Sequence, residues 1–330
     1  MIRDATAPEA IALAARLLKA GELVAIPTET VYGLAADASQ ECAIAKIYAL
    51  KQRPDTNPLI VHIADVAQLK DWAIHIPSIA YELAAAFWPG PMTLILAKAP
   101  WVSTRITAGQ DTIGLRIPAH SAALALLKAF GGGLAAPSAN LFTQLSPTNA
   151  QHVEQALGHN LLILDGGSAQ VGIESTIIDC SQDRLAILRP GMLTASMIAE
   201  VIGEDIDYHA ASELKRPGQH WLHYAPRASL TLLSASQLFA AYEQNDALTT
   251  GLIVYSEALS QRLSGVALVL SSEPQAYARE LYSALHTLDN RHCQRILVEL
   301  PPETASWYAV HERLQKAAGI LHATKPPKPI

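Results

Sequence analysis

The chain has 330 residues, 50% of them hydrophobic and 16% charged, with a formal net charge of −6. This excludes a disordered chain, argues against a general nucleic-acid coat, and suits about two domains at ~100–200 residues each. Cys42, Cys180 and Cys293 lie far apart with no CxxC, so neither a disulfide framework nor a cysteine zinc site is suggested. The N-terminus carries Asp4 and Glu9 in place of a signal-type apolar core. No run approaches the ~18–20 apolar residues of a membrane span, so a cytoplasmic protein with no membrane role is expected.

In chain order, PEAIALAARLLKAG has helical periodicity and stops at Gly21, and ELVAIP reads as a short strand. PTETVYGLAADA reads as a polar turn, and SQECAIAKIYALKQR as a helix capped by Ser39. KQRPDTNPLIVHI, residues 51–63, ends that helix on Lys51 and Arg53 and locks its exit with Pro54 and Pro58. A plain helix C-terminus, whose dipole favours cations, is the first explanation, and a rigid polyanion site is the sharper alternative. PLIVHI, MTLILA, TIGLRIP, GLAAPSA, LLILDGG, STIIDC and LAILRP are strand candidates, interrupted by helices near 76–87, 120–130 and 148–157. Strands joined both directly and through helices predict a mixed sheet.

After a helix near 194–203, GEDIDYHAASELKRPGQHWLHYAPRA shows neither periodicity and carries Pro217, Gly218 and Pro226, the marks of a linker. LTLLS, GLIVY, VALVL and RILVEL then alternate with helical stretches near 235–245, 274–289 and 303–318, which predicts a small Rossmann-like parallel sheet. The expected domains are 1–205, a linker over 206–228, and 229–330, with the tail ATKPPKPI frayed.

Among motifs, GGGLAA at 131–136 follows a helix and precedes a strand, the reverse of a dinucleotide fingerprint. There is no GxxxxGK[ST]. His220 and His223 in HWLH lack a nearby acidic third ligand, so the metal expectation is none. Three segments are chemically unusual together. PSAN sets Ser138 and Asn140 on alternate residues, one face of a regular strand. IGLRIP buries Arg116 in a strand, where a carboxylate or phosphate partner is required. IESTIID presents Glu174, Ser175 and Thr176 at a strand mouth. Each has an ordinary structural explanation; their concentration at strand ends of one domain points to a cleft.

PTETVYGLAADA, KQRP with NPLIVHI, FWPGPMTLIL, TIGLRIP, APSAN, STIID and LRPG occur here in the order found in the YrdC family, and the chain resembles its long, two-domain form. The resemblance implies a twisted mixed α/β sheet with a concave positive cleft, plus a smaller C-terminal Rossmann-like domain. It implies a nucleotidyl transfer: L-threonine, bicarbonate and ATP give threonylcarbamoyl-AMP and pyrophosphate, for threonylcarbamoyladenosine modification of tRNA. Implied partners are those substrates, the tRNA threonylcarbamoyl transferase machinery as recipient, and a weak contact with tRNA itself.

By the same match, Lys51 and Arg53 (the KxR element) with Ser138 and Asn140 (the SxN element) surround the reacting centre and ATP. Asn57, Thr112, Ser146, Arg189 and Tyr224 fall at further ATP-contact positions. Thr30, His62, Arg116, Ala136 and Ser175 fall at threonine-contact positions, with Tyr32 as a wall of that pocket. His62 is either a general base or an orienting hydrogen-bond partner. Mg2+ is expected on the ATP phosphates. The linker, with Trp221 and Tyr224, is expected to act as an active-site lid. A tRNA or double-stranded RNA binding module without synthase activity is the competing class. A hydrogenase-maturation carbamoyltransferase would need CxxC pairs and further domains, absent here.

Overall fold

A computed structural model describes residues 1–208, 214–218, 220–245, 248–263 and 265–320. The tail ATKPPKPI and linker residues 209–213 and 219 lie outside the described residues. The chain divides into two compact units, the second beginning at His220 and taking in Thr143–Leu145 and Val171–Ile173. Among the described residues no helix is long and apolar enough to cross a membrane.

The first unit is built on one mixed sheet. Its strands are β1 (Ile2–Asp4), β2 (Val24–Ile26), β3 (Gly33–Asp37), β4 (Ile60–His62), β5 (Met92–Ala97), β6 (Thr112–Arg116), β7 (Leu134–Ala135), β8 (Leu162–Asp165), β9 (Thr176–Asp179), β10 (Ala186–Arg189) and β11 (Asp207–Tyr208). Their order is β1-β8-β2-β3-β7-β4-β6-β5-β9-β10-β11. The β4–β6 and β5–β9 pairs are parallel, while β2–β3, β5–β6 and β9–β10 are antiparallel. The mixed sheet expected from the connections is present.

Strand alternation decides what each face carries. Val61, Ile113, Leu115 and Ile187 point into the main core with Ile44, Ile47 and Leu83 of the flanking helices. Their neighbours Ile60, Ile95, Ala186 and Leu188 form a separate apolar patch on the opposite face, against which Leu214 packs. By the same alternation His62, Thr112 and Arg116 share that opposite face, so the polar site residues border an apolar floor. Gly114 keeps the floor flat, since a Cβ there would lie 3.3 Å from Ile60 Cγ1 and Ile95 Cδ1.

Local chemistry corrects the sequence reading in places. The end of the supposed polar turn is strand β3, because Gly33–Asp37 is fully buried between β2 and β7. Ser39 does not cap the next helix: its hydroxyl donates to Asp37 Oδ1 at 2.7 Å, and Gln40 occupies the cap position. GLAAPSA is strand only over β7, followed by a single bridge from Ser138 to Gly33.

The second unit has four strands, β12 (Ser229–Leu233), β13 (Thr250–Val254), β14 (Leu268–Val269) and β15 (Arg295–Glu299), all parallel in the order β12-β15-β13-β14. Helices Ala235–Glu243, Pro274–Asn290 and Tyr308–Ala317 answer the helical stretches expected there. The short helix Glu257–Arg262, capped by Ser256, was not foreseen.

Candidate active site

The helix Glu41–Lys51 ends in a left-handed residue, Gln52, at φ 51°, which turns Lys51 and Arg53 toward the sheet. Lys51 is 1% exposed, and its Nζ donates to the carbonyls of Ser138 and Asn140, each at 2.5 Å. The SxN element is therefore joined to the KxR element through backbone oxygens. Asn140 Nδ2 instead donates to the Leu141 carbonyl. Burial, with the Arg53 charge second, pulls Lys51 well below the usual lysine range, while the Glu174 carboxylate works the other way. The two short carbonyl contacts also favour the ammonium. Arg53 donates to the Asn57 and Pro58 carbonyls at 3.3 and 2.9 Å and lies over the Phe142 ring. The helix end is thus capped conventionally and also carries two cations held in fixed positions.

At the other end, Arg116 is 4% exposed on β6, opposite His62 in the β4–β6 register. Its Nη2 donates to Glu29 Oε1 at 2.6 Å, its Nη1 to Thr30 Oγ1 at 2.9 Å, and its Nε to the Gly90 carbonyl at 3.2 Å. Gly90 is required there, since a Cβ would lie 2.2 Å from the Phe87 carbonyl oxygen. Thr30 Oγ1 also meets Thr28 Oγ1 at 2.9 Å. His62 is pushed down to about 3 by burial and then by the Arg116 charge, with the Leu134 backbone opposing weakly. It is neutral at neutral pH, and neither ring nitrogen makes a well-formed hydrogen bond among the described residues.

On the β5–β9 side, Ser175 Oγ meets Thr93 Oγ1 at 2.8 Å, and Arg189 Nη2 donates to Ser175 Oγ at 3.0 Å. Ser146 donates to Glu174 Oε1 at 2.6 Å. The Ala136 amide donates to the Ile60 carbonyl. Tyr32 is fully buried and its hydroxyl donates to the Gly167 carbonyl at 2.7 Å, so only its ring is available as a wall. A groove of about 700 Å³ beside Thr112 is lined by Asp111, Asp179, Asp207 and Arg184. Tyr224 belongs to the second unit, where it stacks on Tyr282 and lies under Arg313.

A family model described as Telomere recombination, Sua5/YciO/YrdC, matches residues 16–191, and one described as Threonylcarbamoyl-AMP synthase, C-terminal domain, matches residues 193–319. The chain belongs to the Sua5/YciO/YrdC family. It is 40% identical to the threonylcarbamoyl-AMP synthase of Bacillus subtilis (strain 168), over 94% of this chain and 93% of that one. It is 39% identical to the protein of the same name from Pyrococcus abyssi, over 94% of each. A crystal structure of P. abyssi Sua5 complexed with L-threonine superposes at a TM-score of 0.85, with 38% identity and 94% of each chain covered. The two-domain Sua5 form foreseen from the motifs is the form found.

Two buried groups went unrecognised in the sequence. Glu29 is the carboxylate that strand-borne Arg116 required, and the signal was the acid inside the hydroxyl-rich PTET turn. Thr93, in the apolar run MTLILA, carried no signal beyond its alternation onto the site face.

Proposed function

We propose that this protein is an L-threonylcarbamoyladenylate synthase, converting L-threonine, bicarbonate and ATP to threonylcarbamoyl-AMP, pyrophosphate and water. The observation that carries the proposal is that the first unit holds both a buried guanidinium suited to a carboxylate, Arg116, and a buried cation pair suited to phosphates, Lys51 and Arg53. Near-full-length similarity to synthases of that name supports the same reading.

Arg116 receives the threonine carboxylate through its planar fork. Thr30, Ser175, the Ala136 backbone and neutral His62 orient the rest, with the Tyr32 ring as a wall. A group titrating near 3 accepts protons poorly at neutral pH, so His62 acts as an orienting partner and not as the base. Lys51 and Arg53 face the polyphosphate, with Asn57, Ser138, Asn140, Ser146 and Arg189 around the reacting phosphorus. The acidic lining of the groove beside Thr112 repels phosphate, which directs the uncharged end of ATP there. No covalent intermediate is needed: the carbamate oxygen attacks the α-phosphorus while pyrophosphate leaves, and positioning with charge stabilisation supplies the catalysis.

Among the described residues, Glu174 is the carboxylate that would face a magnesium ion carried by ATP, amid the cations and carbonyls around Lys51. That donor set suits an ion carried mainly by phosphates and water. When bound, it neutralises charge on the leaving pyrophosphate. Linker residues begin a lid over the same face. Gln110 exchanges hydrogen bonds with both backbone groups of Lys215 at 2.9 and 2.6 Å, and Arg189 Nη1 donates to the Pro217 carbonyl at 3.3 Å. The product passes to the machinery that modifies tRNA, with at most a weak contact between this protein and tRNA, in the cytoplasm. Detection of threonylcarbamoyl-AMP by mass spectrometry tests the proposal; formation of AMP without the threonylcarbamoyl adduct contradicts it.

A further inference from the structure

We infer that Glu29 is the ammonium subsite of the amino-acid pocket, so that the pocket selects a zwitterion; the inference builds on the threonine reading above. Of the five N–H donors an arginine carries, three on Arg116 are engaged, by the Gly90 carbonyl, Thr30 Oγ1 and Glu29 Oε1. The remaining pair suits a carboxylate. Beside it, Glu29 Oε2 is buried and accepts no hydrogen bond from any described residue. A buried carboxylate oxygen without a donor is costly, and native structures rarely keep one without a functional reason. Unfilled donors and an unfilled anionic acceptor therefore stand on one ion pair.

Charge balance gives the selection. Glu29 neutralises Arg116 in the free protein, so a simple carboxylate gains little from the pair as a whole. A molecule bearing both a carboxylate and an ammonium completes both partners. At neutral pH an α-amino acid has that form, while a 2-hydroxy acid or an N-acylated amino acid does not. A role confined to orienting Arg116 would leave Oε2 unexplained, because Oε1 alone makes the Arg116 contact.

The test is calorimetric binding of two ligands to the full chain: L-threonine, and 2,3-dihydroxybutanoate of the same configuration, in which a hydroxyl replaces the amine. The wild-type protein should prefer threonine by about ten- to a hundred-fold, the range of a charge-assisted hydrogen bond. Glu29→Gln should remove most of that preference by weakening threonine, while the hydroxy acid holds or gains affinity. Glu29→Asp should restore part of it. A role through Arg116 alone would move both ligands together, and a water-filled Oε2 site would leave threonine affinity unchanged; either result overturns the inference. If Glu29→Gln does not fold, the wild-type comparison still decides, since equal affinity for the two ligands overturns it. Absence of threonine binding to the wild-type protein would overturn the threonine reading itself, and the inference with it.

Discussion

Arg189 holds Ser175 through both its backbone and its side chain. Nε and Nη2 donate to the Ser175 carbonyl at 3.0 and 2.9 Å, and Nη2 also donates to the hydroxyl at 3.0 Å. A residue assigned to the nucleotide thereby fixes one assigned to threonine. Arg189→Lys keeps the charge but loses the planar fork. It should weaken both ATP and threonine by about ten-fold, a loss in the range of one or two such contacts. Titration of each ligand separately checks this, and a loss confined to ATP would show that the two halves are independent.

Arg116→Ala should abolish measurable threonine binding and also destabilise the protein, by roughly 3–5 kcal/mol, because Glu29 would remain buried without its partner. The double variant Arg116→Ala/Glu29→Gln should recover much of the stability in urea unfolding and none of the binding. Recovery of threonine affinity in the double variant would remove Arg116 from the pocket.

Lys51→Met should lower turnover at least ten-fold while threonine affinity stays within about two-fold. It deletes two charge-assisted contacts worth roughly 1.5–3 kcal/mol each, both to the segment carrying Ser138 and Asn140. Melting temperature should fall as well. Unchanged turnover would take the polyphosphate role away from this residue.

Much of this site was legible because its residues break local rules. A charged residue inside TIGLRIP demands a partner, and cations before two prolines demand a reason beyond helix propensity. What these patterns hide is which atoms do the work. Ser138 and Asn140 looked like side-chain contributors on one strand face, yet their carbonyls hold Lys51. Strand β3 was hidden inside a hydroxyl-rich run because Gly, Ala and Asp have low strand propensity, and pairing on both sides overrides it. Tyr224 stood out as a large aromatic in a linker, but its packing on Tyr282 comes from a helix far along the chain, which no local pattern announces.

His62 gives a pH signature. Its pKa falls from 6.5 to about 3 on folding, so the unfolded chain binds the proton more readily between those values. The stability associated with neutral His62 is fully present above about pH 6.5 and is lost as pH falls toward 3, by an amount on the order of a few kcal/mol. His62→Gln cannot titrate. Its unfolding free energy should therefore fall less than that of the wild-type protein between pH 7.5 and about 4.5. Parallel losses in the two proteins would mean that His62 is not the buried neutral group described.

Synthesis of threonylcarbamoyl-AMP is tested most directly by pyrophosphate release with each component omitted in turn. Release should require ATP, L-threonine, bicarbonate and magnesium together, and should fall to background when any one is left out. Equal release without threonine or without bicarbonate would make this protein an ATP pyrophosphohydrolase and contradict the synthase assignment.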